Sequence, residues 1–289
     1  GILFTSSGET LAAEIEKGSN LVLFEDLAVN RIKSVILTLC QSAEIPVDYL
    51  DAIGLGLAGA SYKDGRDMVF KMLDELNISQ RTIITNDAEA AYEITCPGNM
   101  GILVNVGTGI ICFVRNHEGK TIRTAGMGHD NGDLGSGYWI GKQGMLNLSL
   151  NETSVEGDPE LENIMSAFLN YYKVESFQPA VKAIYDSSDA VAEVGGFAEI
   201  IIDLAESGNE IALNVVQEAS HGVAQYIIDL TEKIEYHEKQ IVLAGNGSII
   251  KNDFFRRTVN DELRFHFPDI KWTFSSISPA YGASIMAAK

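Results

Sequence analysis

Apolar positions along the chain follow two periods. Between Glu25 and Ala43 they recur at i, i+3 and i+4 (Leu27, Ile32, Val35, Ile36, Leu39), which predicts a helix that stops before Pro46. Short runs of β-branched and apolar residues bounded by turn residues predict strands at Ala52–Leu57, Thr82–Thr85, Gly101–Val106, Ile110–Arg115, Thr121–Ala125, Gln240–Ala244 and Ile270–Phe274. Helical patterns cover Gly65–Leu76, a short segment opening at Asp87, then Gly135–Leu148, Pro159–Tyr172, Val191–Ala205, Glu210–Tyr236, Asp253–Phe265 and the residues from Pro279. Asp158-Pro159 and Asn209 read as helix starts. Residues 1–17 read as strand, turn, strand: Ile2-Leu3-Phe4, Ser6-Ser7-Gly8-Glu9, then Leu11 to Ile15.

This alternation is that of an α/β protein. Pro97-Gly98 separates an N-terminal lobe, residues 1–97, from a C-terminal lobe with helical insertions, residues 98–278, and the last segment, 279–289, is expected to pack back on the first lobe. The order strand, strand, strand, helices, strand occurs in both halves, which suggests a duplicated fold. The long helices between Pro159 and Tyr236, with Tyr171, Tyr172, Phe197 and Tyr226, read as core and as a candidate homodimer face.

Charge narrows the partners. With 40 acidic against 21 basic residues, the net charge of −19 repels nucleic acid and anionic lipid, so neither is an expected partner. No apolar run has the length of a membrane span, and no signal peptide pattern is present. Cys40, Cys96 and Cys112 are widely spaced and form no CxxC pair, which fits a reduced, cytoplasmic protein. His129 beside Asp130 has no second His at ligand spacing, so no metal ligand is assigned.

The chemistry-bearing residues follow strands. Thr85-Asn86-Asp87-Ala88, Asn105-Val106-Gly107-Thr108-Gly109 and Gly245-Asn246-Gly247-Ser248 stand directly after apolar runs, and Gly132-Asp133-Leu134-Gly135-Ser136-Gly137 opens a helix. Turns at the carboxyl ends of strands are where open α/β sheets bind ligands, and glycine lets backbone amides approach a phosphate closely. A protein this acidic must hold a polyphosphate through such amides and a divalent cation.

These motifs, with Gly18-Ser19-Asn20 and with Asn252 and Phe254 behind the last loop, resemble the BadF/BadG/BcrA/BcrD ATPase family over nearly the whole chain, and within it the N-acetylglucosamine kinases. The resemblance implies a two-lobed, duplicated ribonuclease H-like (actin-like ATPase) fold with a cleft between the lobes. It implies ATP and Mg²⁺ as cofactors and a sugar hydroxyl, that of N-acetylglucosamine at O6 foremost, as phosphate acceptor. Carried over by position, Asp87 is the general base; Asn20, Asn86, Asp87, Gly126, Met127 and Asp133 bind the sugar; Gly107, Thr108, Gly109, Gly245, Gly247, Ser248 and Asn252 bind the nucleotide. Kinases of this kind open on a strand ending in an Asp-Gly-Gly-Thr-like phosphate loop; the sequence does not contain one at its front, and the expected place for it is ahead of Gly1.

Simpler readings stand beside these. Asp87 suits a helix cap, Asp133 a turn, Gly18-Ser19-Asn20 an ordinary loop, and Gly107-Thr108-Gly109 a hairpin. Gly54-Leu55-Gly56-Leu57-Ala58-Gly59 satisfies GxGxxG, the mark of a dinucleotide-binding oxidoreductase, but its glycines lie inside a strand pattern. Two further classes belong to the same resemblance: the ATPase activators of 2-hydroxyacyl-CoA dehydratases, which share an iron–sulfur cluster between subunits, and a noncatalytic sugar-binding protein.

Overall fold

The first strands form an antiparallel pair, β1 (Ile2–Phe4) against β2 (Thr10–Ala13). Helix α1 (Leu21–Ser42) follows, then β3 (Ile53–Gly56), α2 (Lys63–Glu75), β4 (Thr82–Thr85) and α3 (Asp87–Thr95). Strands β3 and β4 pair in parallel, Gly54 opposite Ile83 and Gly56 opposite Thr85. The structure, a computed structural model, describes residues 1–96, 101–116, 120–128 and 133–288. The chain splits into two compact units: unit 1 is Gly1–Gly98 with Ser275–Lys289, and unit 2 is Asn99–Phe274.

Unit 1 is closed by the last helix, α11 (Pro279–Ala288), which lies on β3 and α3. The glycines of the GxGxxG match explain how. A Cβ on Gly54 would stand 2.0 Å from the carbonyl of Ala283, and one on Gly56 would stand 2.8 Å from the Cβ of Ala90, so bare strand backbone lets α11 and α3 approach. These glycines serve helix packing inside a strand, which removes the turn that a dinucleotide fingerprint requires. The core of unit 1 is Leu21, Ile32, Ile36, Val69, Leu73 and Ile78. Between β1 and β3, a cavity of about 100 Å³ is lined by Leu3, Val35, Leu39, Leu55 and Ala280 among others.

Helix α1 is longer than its apolar period. Glu25 breaks it (φ 40°, ψ −120°), and the turn ahead of the break is started by Asn20, whose side chain accepts the amides of Val22 and Leu23. Helix propensity of residues 21–24 is replaced there by a cap.

Unit 2 is built on five strands in the order β7-β6-β5-β8-β9: β5 (Ile102–Val106), β6 (Ile110–Arg115), β7 (Thr121–Ala125), β8 (Gln240–Asn246) and β9 (Asp269–Phe274). The first three form an antiparallel meander, while β8 joins β5, and β9 joins β8, in parallel. Central β5 is almost wholly apolar because both faces are covered. Helices α4 (Gly137–Leu150), α5 (Pro159–Tyr172), α6 (Phe177–Tyr185), α7 (Ala190–Glu206) and α8 (Glu210–Lys233) separate β7 from β8, and α9 (Ser248–Lys251) and α10 (Asp253–Leu263) separate β8 from β9. Phe168, Phe197, Ile227 and Phe255 are fully buried in one continuous core. Helix α6 has no counterpart in the sequence reading; Pro179 stands in its first turn, where no amide need be donated.

Candidate functional site

In unit 1 the site residues gather at the carboxyl ends of β3 and β4. Asn86 caps α3, its Oδ1 accepting the amide of Ala88 at 2.9 Å, so the capping role that Asp87 was suited to is filled by its neighbour. Asp87 is the first helical residue; its Oδ1 also accepts the Ala88 amide, at 3.0 Å. Burial pushes the Asp87 carboxyl above the ordinary carboxylate range, against the lowering effect of backbone hydrogen bonds. A half-buried carboxylate of raised basicity is suited to accept a proton. Asn20 stands beside the loop after β3: Leu21 donates to the Ala58 carbonyl at 3.0 Å, and a Cβ on Gly59 would lie 3.0 Å from Asn20 Oδ1. Asn20 Oδ1 is engaged by its own helix, which leaves the amide nitrogen as the group it can offer a ligand.

In unit 2 three loops meet at the carboxyl ends of β5 and β8. Gly107-Thr108-Gly109 turns β5 into β6, with the Gly107 amide donating to the Gly109 carbonyl at 2.9 Å. It is a hairpin, as the simpler reading had it, and Thr108 and Gly109 are exposed at its tip. The first amides of α4 hold this loop from behind: Gly137 donates to the Gly107 carbonyl at 2.7 Å and Tyr138 to that of Thr108 at 3.0 Å. From β8, Asn246 Nδ2 donates to Asn105 Oδ1 at 2.9 Å. Gly247, at φ 93°, lies so close that a Cβ there would be 2.3 Å from the Val106 carbonyl oxygen. Over Gly107 and Gly109 the space is open, with no atom nearer than 3.9 Å to a Cβ on the first and none within 4 Å on the second. An unfilled glycine turn backed by a fixed helix start is a fit for phosphate oxygens.

Asp133 is only 6% exposed. Its two oxygens accept the amides of Met127 (3.0 Å) and Gly128 (3.1 Å), so the carboxylate clamps the turn Gly126-Met127-Gly128. That is the turn role, and it brings together Gly126, Met127 and Asp133 from the sugar-binding set; a carboxylate engaged twice still has lone pairs for sugar hydroxyls. Met127 projects beside it, 66% exposed. Ser136 caps α4 through the Trp139 amide, so the helix starts after Gly135.

The remaining nucleotide residues divide. Gly245 is a packing site: a Cβ there would be 2.2 Å from the ring of Phe274, which also carries the Arg256 guanidinium 5.0 Å from its centroid. Phe274 was not found from sequence, since only the β8–β9 register brings it to Gly245, and Arg256 reaches its ring from α10. Ser248 is exposed at the start of α9, and Asn252 caps α10 through the amides of Phe254 and Phe255 while lining a cavity of about 520 Å³ with Arg256 and Arg257. Gly132, His129 and Asp130 lie outside the described residues. Among the described residues no group of three or more His, Cys, Asp or Glu could hold a metal, and no helix is long and apolar enough to cross a membrane. Cys40, Cys96 and Cys112 are buried thiols, Cys96 pushed up to about 12 by desolvation.

The chain is similar to known proteins in sequence and in fold. The chain is 28% identical over 241 residues to the N-acetylmuramic acid/N-acetylglucosamine kinase of Clostridium acetobutylicum, covering 82% of this chain and 76% of that protein. It is 24% identical over 290 residues to the N-acetyl-D-glucosamine kinase of Dictyostelium discoideum, covering 98% and 87%. Its fold matches the crystal structure of a provisionally named N-acetylglucosamine kinase from Chromobacterium violaceum, with a TM-score of 0.72 at 19% identity over 98% of this chain and 92% of the other. It also matches a ROK family glucokinase from Streptomyces griseus solved with glucose and AMPPNP, with a TM-score of 0.61 at 13% identity over 98% and 94%. The family model of the BadF/BadG/BcrA/BcrD ATPases matches residues 1–287, and the chain belongs to that family.

Proposed function

We propose that the chain is an ATP-dependent kinase of N-acetyl amino sugars, acting in the cytoplasm, with the 6-hydroxyl of N-acetylglucosamine as its principal acceptor. The observation that carries the chemistry is Asp87: Asn86 does the capping, and burial raises the basicity of the Asp87 carboxylate. Two relatives named as kinases of such sugars support the substrate class.

In this reading the sugar oxygen attacks the γ-phosphorus as Asp87 takes the hydroxyl proton; the new O–P bond forms as the bond to the β-phosphate oxygen breaks and ADP leaves. In unit 1 this reading gives Asn20 and Asn86 to sugar hydroxyls; in unit 2 it gives the Asp133 turn to sugar hydroxyls and the open hairpin at Gly107–Gly109, with Gly247 and Ser248, to the nucleotide. Mg²⁺ would arrive with ATP and neutralise phosphate charge, a role that needs one or two protein oxygens and not a cage. Phosphoryl transfer depends on positioning and electrostatics, so fixed amides and one base suffice.

The test is ADP release measured with hexoses, N-acetylhexosamines and N-acetylmuramic acid. Stimulation by N-acetylglucosamine or N-acetylmuramic acid well above that by glucose is expected; no stimulation by any sugar overturns the reading.

A further inference from the structure

The turn that carries Asp133 is moulded on helix α8 by contacts that no sequence motif marks. Leu134 lies over Gly222, where a Cβ would come within 2.3 Å of Leu134 Cγ. Gly135, at φ 88°, lies over Ala219, whose carbonyl oxygen would be 2.5 Å from a Cβ. One turn further along the same face, the Tyr226 hydroxyl accepts the Leu134 amide at 3.2 Å. Ala219, Gly222 and Tyr226 are spaced i, i+3 and i+7, so a single helix face receives three consecutive contacts. Tyr226 is itself tied to the sheet, since Thr124 of β7 donates its hydroxyl to the Tyr226 carbonyl at 2.7 Å.

We propose that Tyr226 is a positioning residue for the sugar site: by holding the Leu134 amide it fixes the turn from which Asp133 grips Met127 and Gly128, and so sets the angle at which these groups meet a sugar. This rests on the kinase reading for the ligand, though not for the contact. Asp133 is followed immediately by the residue that Tyr226 holds, and both its oxygens are already committed to the neighbouring turn. Release of Leu134 therefore loosens both turns at once. Tyr226 makes no hydrogen bond to the Gly107 or Gly247 loops among the described residues; the Gly107 loop is held further along the chain, by the Gly137 and Tyr138 amides of α4 behind their own cap, Ser136. Nucleotide and sugar affinities should thus separate.

Tyr226→Phe removes only the hydroxyl. Loss of one hydrogen bond at the turn is expected to weaken N-acetylglucosamine binding about 5- to 10-fold by calorimetry, raising the sugar KM with kcat changed less than about twofold. AMPPNP affinity should stay within about twofold and Tm within a few degrees. The amide of Leu134 should exchange with solvent about tenfold faster than in wild type, while amides at the centre of α8 do not change. Gly222→Ala, which presses on the same turn from beneath, should weaken sugar binding in the same direction. Sugar affinity within twofold of wild type in both variants, or equal losses for sugar and AMPPNP, overturns the proposal. A wild-type protein that binds no sugar overturns the kinase reading, and Leu134 exchange then decides by itself whether Tyr226 holds the turn; unchanged exchange rejects it.

Discussion

Unit 2 holds β5 between β6 and β8 in one five-stranded sheet, whereas unit 1 has two separate pairs, β1 with β2 and β3 with β4, and a cavity of about 100 Å³ lined by residues of β1 and β3. The pairings match in sense: antiparallel on one side, parallel on the other. The difference teaches how each unit fixes its site residues. In unit 2 the central strand delivers Gly107 directly, and α4 amides and Gly247 lock its loop backbone to backbone. In unit 1, Asn20 and Asp87 are placed by helix caps at α1 and α3, and by glycines that let α3 and α11 sit on β3. A side chain presented at a helix start is separable from the packing beneath it. A loop made of backbone contacts is not.

That contrast predicts the largest effect at Asp87. Asp87→Asn keeps shape and cap compatibility but removes the proton acceptor, so turnover should fall about 10²- to 10⁴-fold while sugar affinity changes far less. Because folding raises this carboxyl's pKa, stability carries no penalty below the unfolded-state value and falls as pH rises from there through the raised folded value. The asparagine variant should therefore show a Tm at neutral pH equal to or above that of wild type. A lowered Tm would make the activity loss structural. The same raised pKa places the acid limb of kcat/KM above the ordinary aspartate value of ~4, and Asp87→Asn should remove that limb from its residual activity.

Next in size is Gly54→Ala. The new Cβ would meet the Ala283 backbone at 2.0 Å and push α11 off β3, with a loss of about 3 kcal/mol, roughly 5–10 °C in Tm. Nucleotide preference should not move, because this glycine packs a helix. A change from ATP to a dinucleotide-dependent property would restore the fingerprint reading.

The smallest change is Gly107→Ala. A Cβ there has 3.9 Å of clearance, so Tm should hold, while the methyl group stands where phosphate oxygens approach and weakens AMPPNP binding about tenfold. Unchanged AMPPNP affinity would move the nucleotide away from this hairpin.

Much of this was legible in the sequence because short-range signals decide it. The run Thr82–Thr85 is a strand, the Glu25–Ala43 period is a helix from its break at Glu25 onward, and the Gly-Thr-Gly turn is the hairpin that its flanking strands require. What was missed depends on partners distant in sequence or on backbone donors. Asp133 is bound by amides, which leave no trace in residue identity, and Tyr226 reaches Leu134 across 92 residues. Gly245 looked like an open phosphate turn, yet the ring of Phe274, aligned only by β8–β9 pairing, fills the space above it. Asn86 and Asp87 share one motif, and only cap geometry separates the residue that starts the helix from the one available to a substrate.

The most direct measurement follows the phosphoryl group itself: incubate the protein with ATP, Mg²⁺ and N-acetylglucosamine, and identify the phosphorus products by ³¹P NMR. The account predicts sugar 6-phosphate and ADP in equal amounts, with no inorganic phosphate above a slow background. Inorganic phosphate and ADP formed at a rate indifferent to sugar would contradict it, because a base placed for a sugar hydroxyl would then have no part in the reaction.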